Sequence, residues 1–313
     1  MRRFLAVAVS GGLLAAALAT PAVAIGATTD VDCGSGADLQ AAIDAASPGD
    51  TLAISGTCVG SFTVGKELNL HGMGSDPTIA GGPTSTDQVL IAPEGTVSRL
   101  TISGGIGVGI WNRGGHLVLR DVTVRDNGGG GILLDGPLTM IRSAVLGNGS
   151  AGIQSGSHAG GQPVDIRLSS VRDNGGAGIV NWAPLTLTDS TVSDNVGVGL
   201  WNLSNLSGRG QLTVIRSTIS GNTGGGIENR WELSISESKV INNTTAGYGG
   251  GIWNRYEGEL INFRGVLTMS DSKVTGNTAG IDGGGIYNSG PPSVVTLDSV
   301  KFKNNAPNDC TGC

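Results

Sequence analysis

One recurrent asparagine constrains most of what this chain can fold into. It closes a β-rich stretch in Leu117-Val-Leu-Arg-Asp-Val-Thr-Val-Arg-Asp-Asn127, again in Leu138 to Asn148, and most cleanly in Leu185-Thr-Leu-Thr-Asp-Ser-Thr-Val-Ser-Asp-Asn195. Further copies end at Asn174, Asn222, Asn243, Asn277 and Asn305, and a degenerate one at Gly105. The asparagines are spaced by 21, 26, 21, 27, 21, 34 and 28 residues, a unit of 21 with insertions of 5, 6, 13 and 7. Self-similarity at such a period means one supersecondary unit stacked on copies of itself.

Each asparagine leads through a glycine-rich link into a second strand. Five residues on stand Ile132, Ile153, Ile179, Leu200 and Ile227, and nine residues on stand Ile252 and Ile286. Leu185, Leu187 and Val192 place alternate side chains on one face, as half-buried strands require. Every copy runs in the same direction, so the strands cannot be hairpins and must stack in parallel, one coil per repeat, around a shared core. The expected fold is all-β: a right-handed, single-stranded parallel β-helix of about ten coils, roughly 48 Å long at about 4.8 Å per coil.

This architecture accounts for the composition. Glycine fills 55 of 313 positions, while aromatics make up 4% and charged residues 14%. Collagen is excluded because glycine does not recur every third residue, and so little charge excludes a solvated disordered chain. In a solenoid, glycine is wanted wherever a corner needs positive φ or a close backbone approach. Asparagine also tolerates the left-handed conformation, and stacked asparagine side chains can bond along the column. A second column of this kind is expected at Asn112, Asn181, Asn202, Asn229, Asn254 and Asn288.

Met1-Arg-Arg followed by the apolar run Phe4 to Leu18 and small residues up to Ala24 reads as a secretory signal peptide, residues 1–24. The exported chain would carry 17 basic against 25 acidic residues, a balance that points away from DNA or RNA as partner. No later stretch is apolar for about 18 residues, so no transmembrane segment is expected in the mature chain. Four cysteines suit an oxidising compartment. Bridges between the two ends would have to span the rod, so Cys33–Cys58 and Cys310–Cys313 are the expected pairs. Leu39, Ala42, Ile43 and Ala46 share one face of a short helix that ends before Pro48 and suits covering the open first coil. The expected organisation is therefore an N-terminal segment with its capping helix at 25–50, the β-helix at 51–305, and a tail with a cysteine pair at 306–313.

These features resemble the secreted right-handed parallel β-helix proteins of the pectate-lyase-like superfamily. The likeness extends to bacterial envelope proteins whose repeat is written here as Gly-Gly-Gly-Ile-Tyr-Asn at 283–288, and Lys66 to Gly74 resembles the first regular coil. A leucine-rich repeat fits less well, since Gly, Thr, Ser and Ile stand where leucines are required.

The resemblance implies a polysaccharide lyase or hydrolase with carboxylates for calcium and an Arg or Lys as base. The sequence carries no recognisable acid/base signature of those enzymes, and its three histidines, His71, His116 and His158, have no metal-ligand spacing. Arg113, Arg230, Arg255, Asp173 and Asp194 are the catalytic candidates. Asp173 and Asp194 fall on adjacent coils, where Ca2+ would relieve their repulsion, although Arg125 and Arg172 flank the same column and could neutralise it instead. No other cofactor is implied.

The aromatics are placed more informatively. All five tryptophans lie in or just after the second strand: Trp111, Trp182, Trp201, Trp231 and Trp253. In Ile-Trp-Asn an inward Ile sends Trp outward, so Trp111, Trp201, Trp253, Tyr256 and Tyr287 form a candidate strip for stacking on sugar rings. Insertions at 201–211 and 253–266 are placed to wall it. The expected role is a secreted, non-catalytic module binding an extracellular polysaccharide or an envelope component. An enzyme of the superfamily is the alternative, and a surface protein with no ligand a third reading.

Overall fold

In the computed structural model, residues 26–82, 88–92, 94–156, 162–203, 210–257 and 263–313 are described. The signal segment at 1–24 lies outside them, as do His158 and parts of the insertions. Three long parallel sheets make up the body. A representative coil contributes Leu117–Arg120 to sheet A, Thr123–Arg125 to sheet B and Ile132–Leu134 to sheet C. Sheet A has 12 strands, sheets B and C have 11 each, and neighbours in each sheet come from successive coils. The solenoid therefore has about eleven turns, close to the ten counted from the repeat. The additional strands come from the degenerate coils and from the two ends.

The alternation reads out as expected. Leu185 and Leu187 are buried while Thr186 is half-exposed, and each registers with its counterpart one coil on, Leu212, Val214 and Thr213. Glycine before the sheet C strands that begin at Ile132 through Ile286 is required by close approach: a Cβ on Gly178 would stand 2.6 Å from the Gly199 carbonyl oxygen, 2.6 Å from Val192 Cγ1 and 2.8 Å from Asn195 Nδ2.

The predicted asparagine ladder is continuous from Asn127 to Asn305. In each rung the backbone N–H and Nδ2 both donate to Oδ1 of the next asparagine, as from Asn174 to Asn195 at 3.1 and 2.9 Å. The column is buried up to Asn277, and Gly105 heads it by donating its N–H to Asn127. The second ladder runs through Asn181, Asn202, Asn229, Asn254 and Asn288. Asn112 is cut off from it, because Leu134 and Ser155 occupy the rungs between.

A third ladder, of serines, escaped the sequence reading. From Ser169 to Ser272 each buried serine accepts the backbone N–H of the serine one coil back, as Ser217 accepts from Ser190 at 3.1 Å, and Ser143 heads the column by accepting from Val122. Its hydroxyl in turn donates to the carbonyl two residues before it, as Ser190 does to Thr188 at 2.7 Å.

The corners correct one expectation. The A-to-B corner was expected to favour glycine; instead it is held at positive φ by Arg99, Asp121, Arg142, Leu168, Asp189, Arg216, Glu237, Asp271 and Ser299. These side chains point outward, and bidentate pairs join Arg142 to Asp121 and Arg216 to Asp189 at 2.8–3.0 Å. Glu237 contributes to Arg216 only as a more distant charge that raises its pKa.

The two ends are closed differently. The helix Leu39–Ala45 starts at Asp38, whose carboxylate accepts from the Ala41 N–H, and it buries Leu39 and Ile43. Its Gln40 amide exchanges hydrogen bonds with the backbone of Thr63 at 2.9 and 3.1 Å, satisfying the edge strand of sheet C. Ahead of it, Thr28–Asp32 already pairs with Thr51–Ser55 in sheet A, so the sheet begins before the helix. At the other end the tail joins sheet C, with Cys310 and Thr311 paired to Ile286 and Tyr287. Both expected disulfides are formed, Cys33–Cys58 and Cys310–Cys313, with Cα separations of 5.1 and 6.1 Å. Among the described residues no helix is long and apolar enough to cross a membrane.

Candidate functional site, an aromatic and arginine column on sheet C

Sheet C strands run inward, outward, inward, as in Ile252-Trp253-Asn254, so every middle residue belongs to one outer column. Register fixes its sequence as Trp111, Leu133, Gln154, Val180, Trp201, Glu228, Trp253 and Tyr287. Trp201 and Trp253 are two coils apart and Trp253 adjoins Tyr287, as the spacing predicted. Trp111 stands apart, four coils from Trp201. Tyr256 leaves the column altogether: it pairs with Arg264 in an antiparallel ribbon within the 253–266 insertion.

The structure adds two residues that the sequence reading missed. Tyr248, in the eight-residue link between Asn243 and Ile252, packs its ring 4.3 Å from Tyr287 and 5.7 Å from Trp253. Glu228, between the two tryptophans, is the hub of the column. Its Oε1 accepts from Arg230 at 2.8–2.9 Å and from Arg255 at 3.1 Å, and all three side chains are at least 71% buried.

The three arginine candidates are thereby placed together with the aromatics. Arg113 lies 4.6 Å over Trp111, Arg230 lies 5.4 Å over Trp201, and Arg255 lies 4.6 Å over Trp253. A guanidinium stacked on an indole and bonded to a carboxylate is held in place. The site thus presents flat rings framed by fixed charges on one straight face. Trp111 donates its indole N–H to Asp135 at 2.8 Å and Trp253 to Ser289 at 3.1 Å, whereas that of Trp201 is buried and meets no acceptor among the described residues.

Asp173 and Asp194 lie elsewhere, at the exit corner of sheet B. Both have φ of 56°, in a column whose other members, such as Gly147, Gly221 and Asn242, also have positive φ. Asp, Asn and Gly are the residues that tolerate this conformation, which accounts for the two carboxylates without a ligand. Arg172 pairs with Asp173, and Arg125 with Asp126 at 2.5 Å. Among the described residues no three His, Cys, Asp or Glu side chains converge as metal ligands would. A shallow groove of about 580 Å3 lies away from the aromatics and runs along the A-to-B corner past Asp121, Arg142, Leu168 and Asp189.

Comparison with known proteins agrees with this geometry. The family described as "Right handed beta helix region" matches residues 84–208. Among solved structures, the pectate lyase Pel9A superposes with a TM-score of 0.53 at 13% identity, covering 90% of this chain and 80% of its own. The catalytic domain of a GH87 α-1,3-glucanase in complex with nigerose gives 0.58 at 11%, covering 93% of this chain; the match spans 66% of that domain. The A-module of the Azotobacter vinelandii mannuronan C-5 epimerase AlgE4 gives 0.54 at 15%, covering 88% and 94%. No curated protein matches the sequence. The chain is a solenoid protein with a right-handed parallel β-helix fold.

Proposed function

We propose that this is a secreted module that binds carbohydrate without altering it, using the outer column of sheet C from Trp201 to Tyr287. The observation that carries the reading is the set of aromatic rings on neighbouring coils, held by arginines that Glu228 locks in place. A row of rings at the coil spacing suits successive sugars of one chain, since aromatic faces stack on apolar sugar faces while fixed polar groups orient them. Solved structures of similar fold include proteins named for pectate, α-1,3-glucan and mannuronan, which supports a polysaccharide partner. The two disulfides support an oxidising, extracellular location.

The test is retardation of the protein in gels containing soluble neutral polysaccharides. Wild type should be retarded by at least one of them, and Trp201→Ala with Trp253→Ala should abolish it; retained retardation in the double variant overturns the reading. Glu228, a carboxylate enclosed on the same face, favours a second reading as a lyase or hydrolase. That reading predicts new absorbance from an unsaturated sugar, or new reducing ends, lost in Glu228→Gln.

A further inference from the structure

The chain is acidic overall, with a formal charge of −6, but one column on sheet B has the opposite sign. The outward position that opens each sheet B strand is Thr or Ser at every rung from Thr57 to Thr218 except Ala144. It then becomes Lys239, Lys273 and Lys301 on three successive coils, in direct register. All three are exposed, and Lys303 adds a fourth ammonium on the last strand. Like charges directly opposite in a sheet are destabilising, so the switch from Thr to Lys works against the fold.

Two ordinary explanations fall short. Lysine on an edge strand prevents sheet-to-sheet association, which accounts for Lys301 and Lys303; Lys239 and Lys273 are on strands paired on both sides. Neutralisation by neighbours is also missing. Among the described residues the ion pairs are all made by arginine, and none takes up one of these lysines. Glu237 and Asp271 occupy the corner two residues upstream of Lys239 and Lys273 without pairing to them.

We infer that this column is a docking rail for a linear acidic glycan with one carboxylate or sulfate per sugar, lying parallel to the solenoid axis. Coils rise about 4.8 Å, so the rail offers one cation per coil and matches a polymer with a similar charge repeat. The carboxylates of Glu237 and Asp271 run alongside and repel a broad polyanion such as duplex nucleic acid. A polyphosphate carries more than one charge in the rise of one coil and falls out of step with the rail. The rail lies on a different sheet from the aromatic column and does not depend on it.

The test is binding of the full chain to polygalacturonate, dextran sulfate and uncharged dextran. Wild type should bind at least one charged polymer and not dextran through this face, with affinity lost at about 1 M salt, where screening reaches about 3 Å. Replacing Lys239, Lys273 and Lys301 together by Gln should weaken that binding by about tenfold, while Trp201→Ala with Trp253→Ala leaves it intact. Preference for polygalacturonate assigns the ligand to uronates, and preference for dextran sulfate assigns it to sulfated glycans. Unchanged affinity in the triple lysine variant, or tighter binding of polyphosphate than of either glycan, overturns the inference. The lysines are exposed, so an unchanged melting temperature of that variant separates lost binding from lost folding.

Discussion

The asparagine ladder and the aromatic column climb the same coils at the same spacing, and they follow opposite rules. The ladder repeats one residue from Asn127 to Asn305, and rung after rung donates twice to the next. The aromatic column never repeats a residue on adjacent coils, and its contacts are made sideways, from Arg230, Arg255 and Tyr248. Uniformity is what stacking rewards, because any rung that differs leaves its neighbours with unmet groups. Where a column is irregular yet well ordered, the irregular residues answer to something besides stacking. The difference therefore divides residues that hold the fold from residues available for recognition.

The largest effect should come from breaking the uniform column. Asn195→Ala removes the Oδ1 that accepts both donors of Asn174, and it also deletes the Nδ2 that reaches Asn222. Two orphaned buried donors imply a loss of about 3 kcal/mol, read as a lower denaturation midpoint in guanidinium or heat. The irregular column should respond in the reverse sense. Trp253→Ala should cost about 2 kcal/mol of glycan affinity, as hot-spot aromatics do, while moving the midpoint less than Asn195→Ala. A larger stability loss at Trp253 than at Asn195 would erase the distinction between the two columns.

The ladder was legible from sequence because its rule is a period: a buried asparagine every coil shows in the spacing from Asn127 onward. The sheet alternation, the capping helix and the two disulfides were legible for the same local reasons. The aromatic site was legible only in outline. Trp201, Trp253 and Tyr287 announce themselves by type, but Glu228 is one acidic residue in a coil without an insertion, and its partners come from its own coil and the next. Reading the column through the register, Trp201, Glu228, Trp253, with arginine two residues after the last two, would have found it. Backbone conformation was the least legible. Nothing in the residue types Asp121, Arg142 and Leu168 reveals a shared positive φ.

Leu168 offers a smaller test at that corner. Its φ is 51° and it is 57% exposed, so it bears left-handed strain with little burial in return. Leu168→Asn, a residue that tolerates this conformation, should stabilise the chain by about 1 kcal/mol. The shift is upward, whereas any change in a ladder should shift the midpoint downward. An unchanged or lower midpoint would mean that Leu168 packs in the groove it lines more productively than its exposure implies.

The smallest effect separates the columns by pH. Asparagine and serine ladders do not titrate in the acid range, but the corner pairs and the tail do. Arg142 holds Asp121 below the ordinary carboxylate range, Arg216 does the same for Asp189, and hydrogen bonds from Asn308 and Thr311 lower Asp282. A lowered folded pKa means that the contribution is complete above the ordinary value of 3.8 and is lost as pH falls through the lower folded value. These carboxylates are exposed and screened, so global stability should change little below pH 4. Local protection should change more: amide exchange at Thr311, whose hydroxyl bonds to Asp282 at 2.9 Å, should accelerate on acidification while the amides of the asparagine ladder stay protected. In Asp282→Asn the tail should lose that pH dependence. If ladder amides and Thr311 opened together in acid, the tail would be part of the same cooperative unit as the coils, and the contrast between a neutral core and a titrating periphery would not hold.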